Sequence, residues 1–413
     1  NSYVTIPRAT NSFDNTEIVA NVDEDIIDSL TGGRLVGSVT SFENFAECPL
    51  RYYLRYGVDL KEREEFTFSP VNFGVVLHAV IREVCDEIKK NGESYYLISE
   101  EKRREMVKRS VAAITDIYQN SILKDSSRNS FMIKRMEDLA DRTVWAMGEQ
   151  LKCGDFVPFV FEHKFNMEVG DGDRKQLMSG TIDRVDICEN GTDVYVRIID
   201  YKTGKKDFNI VKTYYGIDIQ LMVYMEAAMK LVAKMRPGKN VIPAGVFYYN
   251  ISDPIVSATT ESAEEIEDKI KGELRLKGMV NSDKDIAEKM DNTGGTSLNI
   301  PVSRKADGGF DSRRSKVMNT EQFNMLGRFV DVRAVDTADR IAGGDIRRSP
   351  YKDGQFSSCD RCPYGAVCGF SVDLPGCNYR KLKKFDDEVL WNNIKEGVDE
   401  NGKKMDTGAE ERD

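Results

Sequence analysis

Asn190-Gly191 separates two runs, 176–188 and 193–202, in which apolar and polar residues alternate. Period two is the spacing of a strand with one buried face, and Asn-Gly is the dipeptide that best tolerates the positive φ angles of a two-residue hairpin turn. The segment therefore predicts a β-hairpin with residues 190 and 191 at its tip. A third alternating run, 157–168, precedes it through a turn at Gly170-Asp171-Gly172-Asp173, and a helical pattern at 216–235 and a β pattern at 243–251 follow. Strand meander, helix, strand is the order of an α/β fold with a central mixed sheet flanked by helices.

Helical patterns fill the part before the meander. Residues 70–92 carry Phe73, Leu77, Val80, Val84 and Ile88 on one stripe, and further helices are expected at 94–123 and 128–152. Thr40-Ser41-Phe42-Glu43 matches a capping box, and Pro49, tolerated only in a first turn, predicts a break at Cys48 between two short helices. Helices at 261–274 and 320–342 lead to a Cys-rich loop and a last helix near 378–395. The expected organisation is an acidic linker over 1–35, one domain over 36–395 and an acidic tail over 396–413. The domain divides into a helical part at 36–156, a core at 157–260 and a C-terminal part at 261–395.

With 413 residues, 40% apolar, and only 11 Pro, the chain has enough apolar material for a packed core and too little Pro for long low-complexity linkers. The net charge of −10 is concentrated at the two ends, residues 1–35 and 396–413, which together hold −8. The stretch between is near neutral and carries basic clusters at Arg313-Arg314-Ser315-Lys316, Arg347-Arg348 and Lys381 to Lys384, so a polyanionic partner is compatible with the overall acidity. No run of about 18 apolar residues and no signal-peptide pattern occurs, which predicts a cytoplasmic chain without a membrane span. It starts at Asn1 rather than Met and reads as a piece of something longer.

With 190 and 191 as the turn, Asp183 lies opposite Ile198 and Thr181 opposite Asp200. Thr181, Asp183, Ile198, Asp200 and Lys202 then share one face, with the two aspartates as diagonal neighbours about 7–8 Å apart. Two carboxylates brought together raise each other's pKa unless a cation intervenes, and oxygen ligands suit Mg²⁺ or Mn²⁺ better than zinc. A metal there polarises a phosphoryl oxygen and acidifies water, with Lys202 against the developing charge, which is the chemistry of phosphodiester hydrolysis. On the hairpin alone, a solvent-facing strand pair with ordinary charges is an equal alternative.

Four motifs add to this. Gly74-x3-His78 on a helix, Gly180-Thr181-Ile182-Asp183-Arg184-Val185-Asp186 on a strand, Ile199-Asp200-Tyr201-Lys202-Thr203-Gly204 on the next and Gln220-x3-Tyr224 on the following helix resemble the ordered motifs of RecB-type nucleases of the PD-(D/E)XK superfamily. The resemblance implies a restriction-endonuclease-like core. It implies metal ligation by His78, Asp183, Asp200 and the backbone carbonyl of Tyr201, with Lys202 as the catalytic lysine. It gives Gln220 and Tyr224, one helical turn apart, a role in contacting DNA or supporting the site. His163, beside Glu162, is read only as an ordinary packed histidine.

Eight cysteines in a chain read as cytoplasmic argue against a disulfide framework. Cys359-x2-Cys362-x5-Cys368 is a tight cluster; Cys48 or Cys377 completes a set of four, while Cys85, Cys153 and Cys188 read as small buried hydrophobes. Zinc and iron–sulfur chemistry both fit four thiolates. A lone Cys-Pro before the nuclease motifs and C-x2-C-x5-C after them resembles AddB-type nuclease domains and implies a [4Fe–4S] cluster on Cys48, Cys359, Cys362 and Cys368. Pro243 to Tyr249, Asp253-Pro254 and Gly344-Asp345-Ile346 are similar to the same family. The implied partners are single-stranded DNA ends and an AddA-type helicase–nuclease subunit, and the implied activity is cleavage of the 5′-terminated strand during double-strand-break repair by recombination. No G-x4-G-K-[S/T] occurs, so the chain is not expected to bind ATP. Two other readings compete: a catalytically silent, iron–sulfur-stapled scaffold that binds DNA ends, and a zinc-stapled interaction module. Retention of Asp183, Asp200 and Lys202, a costly charge cluster, favours the enzyme.

Overall fold

A computed structural model of the chain describes residues 36–61, 70–117, 127–169, 176–257, 261–374 and 377–410. The linker expected at 1–35 and the turn expected at 170–173 lie outside the described residues.

The chain opens with β1 (Val36–Ser38) and α1 (Val39–Glu47). Cys48 is extended, with φ −166° and ψ 116°, and Pro49 starts α2 (Pro49–Tyr52), so the break expected at Cys48 is present. The capping box at Thr40 is corrected. The N-cap of α1 is Ser38, whose hydroxyl accepts from the Ser41 amide at 3.2 Å, and Glu43 lies inside the helix with its carboxylate engaged elsewhere. Three helices follow: α3 (Pro70–Lys90), α4 (Glu100–Ile117) and α5 (Ser127–Lys152). The stripe from Phe73 to Ile88 is buried as expected.

The meander consists of β2 (Val157–Val169), β3 (Gln176–Asn190) and β4 (Asp193–Lys202). After it come α6 (Ile210–Tyr214), α7 (Gln220–Met235), β5 (Asn240–Asn250), α8 (Ala263–Glu273), β6 (Lys277–Asn281), α9 (Lys284–Met290), β7 (Val317–Met318) and α10 (Thr320–Ala342). The C-terminal part holds β8 (Tyr351–Asp353), β9 (Phe356–Ser357), α11 (Gly365–Cys368), β10 (Arg380–Lys381) and α12 (Asp387–Glu410). The last helix starts later than expected and continues through most of the stretch read as an acidic tail.

Among the described residues, seven strands form one mixed sheet in the order β1-β3-β4-β5-β6-β7, with β2 also on β3. One face packs on α3, α4 and α5 through Ile199, Tyr201, Phe247 and Tyr249. The other packs on α1, α7 and α10 through Ile198, Val246 and Tyr248. The predicted α/β fold, a mixed sheet between helices, is therefore the observed one, and it is consistent with a restriction-endonuclease-like core.

The hairpin register differs from expectation by two. Asn190 pairs with Asp193 and Arg184 with Ile199, so the turn is Gly191-Thr192. Gly191 alone takes positive φ, at 60°, as a Gly at the first central position of a hairpin turn does; Asn190 belongs to the strand. A slip of two leaves every residue on its expected face, whereas a slip of one would invert them.

Candidate active site

Strand β3 is longer than any one partner. Its first part, Leu177 to Ser179, pairs with β1, and Arg184 to Asn190 pair with β4. Between these ladders β3 and β4 separate, and β4 continues on β5, with Asp200 opposite Tyr248. Asp183 stands one position beyond the last β3–β4 bridge, which makes Asp200 its counterpart across the fork. In place of a ladder bond, the backbone amide of Tyr201 donates to the Asp183 carboxylate at 2.6 Å.

His78 comes from α3, with Nδ1 3.5 Å from Asp183 Oδ2, and its ring packs edge-on against Tyr201. Lys202 forms an ion pair with Asp200 Oδ2 and donates to Gln220 Oε1 at 3.0 Å, and Gln220 Nε2 donates to the Tyr224 hydroxyl at 2.9 Å. Gln220 and Tyr224 are both buried, and on α7 they form a relay that holds the lysine. Gly180 permits this approach. A Cβ there would stand 2.7 Å from the Phe165 ring and 3.1 Å from Tyr224. His78, Tyr201 and Lys202 line an open cleft together with Gly74, Glu162 and Thr203.

Glu162 has no counterpart among the residues expected from the sequence motifs. Its Oε1 lies 3.9 Å from His78 Nδ1. His78, Glu162 and Asp183 each offer a ligand atom within 4.8 Å of the others, the one such trio among the described residues. Glu162 has φ +48°, a left-handed conformation that a non-glycine residue adopts at a cost of about 1–3 kcal/mol, and such strain clusters at functional positions. Its neighbour His163 pairs with Ile182 in the β2–β3 ladder and takes no part in the trio.

The electrostatics of the fork match a cation site. Burial, and then the nearby charge of Asp183, push the Asp200 carboxyl up to about 7. Glu162 is also raised, by burial and by Asp183. Burial works against a charged His78, yet the hydrogen bond and charge of Asp183 lift it above the usual imidazole value. Asp200 is buried, and its Oδ2 is held by the Lys202 ammonium in a close ion pair. The oxygen and imidazole donors of His78, Glu162 and Asp183 fit a hard divalent cation, and Asp200 stands outside that trio, paired with Lys202.

Over residues 37–369 the sequence matches the PD-(D/E)XK nuclease superfamily. The chain belongs to that superfamily. It is similar to an ATP-dependent helicase/deoxyribonuclease subunit from Thermoanaerobacter sp. (strain X514), with 33% identity over 380 residues that make up 89% of this chain and 33% of the relative. The subunit of the same name from Lachnoclostridium phytofermentans is 33% identical over 94% of this chain and 34% of its own length. That from Clostridium acetobutylicum is 34% identical, with the same two coverages. The chain spans about a third of the length of these curated relatives.

Within this PD-(D/E)XK domain the second acid of the β3 motif has a different task. Asp186 is fully buried and accepts both Arg184 nitrogens, at 2.7 and 2.6 Å, and Arg197 Nε at 2.8 Å. Two guanidinium groups on one carboxylate lock β3 to β4 immediately below the fork.

The four expected cysteines meet. Cys48, Cys359, Cys362 and Cys368 line one small cavity with Leu54 and Phe370, and all four are free thiols. Cys377 is buried but does not line the cavity. Burial raises the Cys48 thiol, while the backbone amides of Arg51, Ser349 and Leu50 donate to its sulfur and favour the thiolate. The surrounding segments are already joined by hydrogen bonds: Leu50 N to Arg347 O at 3.3 Å, Ser358 Oγ to Glu47 O at 3.3 Å and Tyr364 OH to Leu60 O at 2.9 Å.

The basic clusters divide. Arg347 binds Asp345, at 2.7 Å to Oδ2, and Arg348 donates to the Cys368 carbonyl at 3.1 Å, so this pair serves the cysteine loop. Arg313 and Arg314 are exposed. Among the described residues no helix is long and apolar enough to cross a membrane.

Proposed function

We propose that this domain hydrolyses phosphodiester bonds of single-stranded DNA with Mg²⁺ or Mn²⁺, as the nuclease part of an AddAB-type helicase–nuclease that processes double-strand breaks for recombination. The observation that carries this reading is the fork between β3 and β4, where the buried Asp183 and Asp200 face each other across the strands and Lys202, paired with Asp200, lines an open cleft with His78 and Glu162. Asp183, Asp200 and His78, with the Tyr201 carbonyl, would hold the metal, and Glu162 is placed to join them. When bound, the metal supplies positive charge to the phosphate and acidifies water. Lys202, kept in place by Gln220, offers its ammonium to charge developing on the phosphorus oxygens. Of the two roles open to Gln220 and Tyr224, their burial and hydrogen bonds favour support of the lysine over contact with DNA.

The names of the relatives support an AddA-type partner and a DNA substrate, and family resemblance supports cleavage of the 5′-terminated strand. The thiol cavity is proposed to hold a [4Fe–4S] cluster on Cys48, Cys359, Cys362 and Cys368. The match of Cys48-Pro49 and Cys359-x2-Cys362-x5-Cys368 to the family's arrangement supports the cluster over zinc.

The test is cleavage of single strands labelled at the 5′ or the 3′ end, with Mg²⁺ or with chelator, by the wild type and Asp200→Asn. Metal-dependent cleavage that the substitution abolishes is expected. Cleavage that persists in chelator, or in Asp200→Asn, refutes the assignment.

A further inference from the structure

Helix α7 begins without a cap of its own. Its N-cap residue is Ile219, whose side chain accepts nothing, although the first turn of any helix presents amides without intrahelical partners. The acceptor comes from a distant part of the chain. Glu43 Oε1 on α1 takes the Ile219 amide at 2.9 Å and the Gln220 amide at 3.0 Å. A carboxylate at a helix N-terminus is also favoured by the helix dipole. Burial pushes the Glu43 carboxyl up to about 7, against the charge of Lys206 and the two amides, which favour its ionised form. Lys206 lies 3.0 Å from Asp218 Oδ1, and the Tyr248 hydroxyl donates to the same oxygen at 2.6 Å.

The capped residue is the one that touches the lysine. Gln220 is the first residue of α7, and its side chain accepts from Lys202 Nζ at 3.0 Å. We propose that Glu43 is a positioning residue: by capping α7 it fixes Gln220, and through Gln220 it fixes the ammonium of Lys202 over the fork. The proposal rests on the nuclease reading above only for the task of Lys202. It also gives the first helix a purpose in the chemistry, since α1 ends at Glu47 and the next residue is Cys48. The thiol cavity thus hangs from the C-terminal end of one short helix and the lysine from its middle.

The experiment compares Glu43→Met, which keeps volume and removes the acceptor, with Glu43→Gln, which keeps an acceptor and removes the charge. Each is made alone and combined with Gln220→Ala, and Asp200→Asn serves as the inactive reference. Three quantities are read: kcat and KM on single-stranded DNA with Mg²⁺, amide hydrogen exchange of a peptide covering Ile219 and Gln220, and the melting temperature. Glu43→Met is expected to lower kcat by about 10–100-fold with KM changed less than about twofold, the scale of a misplaced catalytic group, and to open exchange at Ile219 and Gln220. Glu43→Gln is expected to restore both. In the Gln220→Ala background, Glu43→Met should cost no further kcat. Additive losses in that background, or opened amides with an unchanged kcat, overturn the proposal. So does a Gln variant as impaired as Met. A wild type that does not cleave, or an Asp200→Asn that does, overturns the nuclease reading instead, and the exchange data still report whether Glu43 caps the helix.

Discussion

Asp183 accepts the backbone amide of Tyr201 at 2.6 Å, at the point where β3 leaves β4. That bond substitutes for the missing rung of the ladder and turns the Asp183 carboxylate toward the neighbouring strand, where Asp200 and Lys202 stand. The acids are held by backbone geometry, so replacing one should change chemistry more than folding.

Asp200→Asn and Lys202→Ala are each expected to lower metal-dependent cleavage by at least about 10²–10³-fold, the usual scale for losing an electrostatic stabiliser. Circular dichroism should remain that of the wild type. A Lys202→Ala protein that cleaves within about threefold of the wild type would remove the lysine from the site.

Asp186→Asn is expected to behave in the opposite way. It leaves Arg184 and Arg197 buried, with the charge they share removed, and breaking such a pair costs about 3–5 kcal/mol. Urea unfolding should show the loss directly, and a change below about 1 kcal/mol would mean that the triad contributes little.

At Glu162 the backbone can be tested apart from the carboxylate. In an ordinary strand Gly is the less stable of Gly and Ala, but at φ +48° only Gly avoids strain. Glu162→Gly is therefore expected to be more stable than Glu162→Ala by about 1 kcal/mol, with metal affinity reduced in both. The reverse order in thermal melts would show that the left-handed conformation is not kept.

A pH dependence is expected from the interface of α7 and α10. Burial, then the hydrogen bond and charge of Glu226, raise the Asp331 carboxyl from 3.8 to about 8. Because the folded value lies above the unfolded one, the contribution to stability is complete below about pH 4 and is lost as pH rises through about 8. Asp331→Asn should therefore flatten the fall of melting temperature between about pH 4 and 8. An equally steep fall in the variant would assign it to other groups.

The thiol cavity yields a spectroscopic expectation. Protein purified without oxygen should contain iron and absorb visible light, and Cys362→Ser should bleach it and loosen the C-terminal segment, whereas Cys377→Ser should not. One zinc and no iron would mean that the cluster assignment is wrong.

Much of this is legible in the sequence because it is local. Alternation reveals the meander, Pro49 reveals the break at Cys48, and the facing of Asp183, Asp200 and Lys202 survives a turn placed one residue early, because the pairing then shifts by two. What stays hidden depends on tertiary partners. Thr40-x-x-Glu43 and Ser262-x-x-Glu265 carry the same capping signature, yet only the second forms a reciprocal box. Glu43 is claimed instead by the amides of α7. Glu162 leaves no signal because its role depends on a left-handed residue and on the approach of His78 from another element. The short strands β6 and β7 offer too few residues for a period to be seen.

The two-residue tip at Gly191-Thr192 touches none of the groups around Lys202, yet it sets which residues of β3 and β4 arrive together at the opposite end. Loop length is thus a catalytic variable in this fold. Deleting one tip residue, with every functional side chain still encoded, would turn one aspartate away from the other, so such hairpins are free to vary in sequence but only in steps of two.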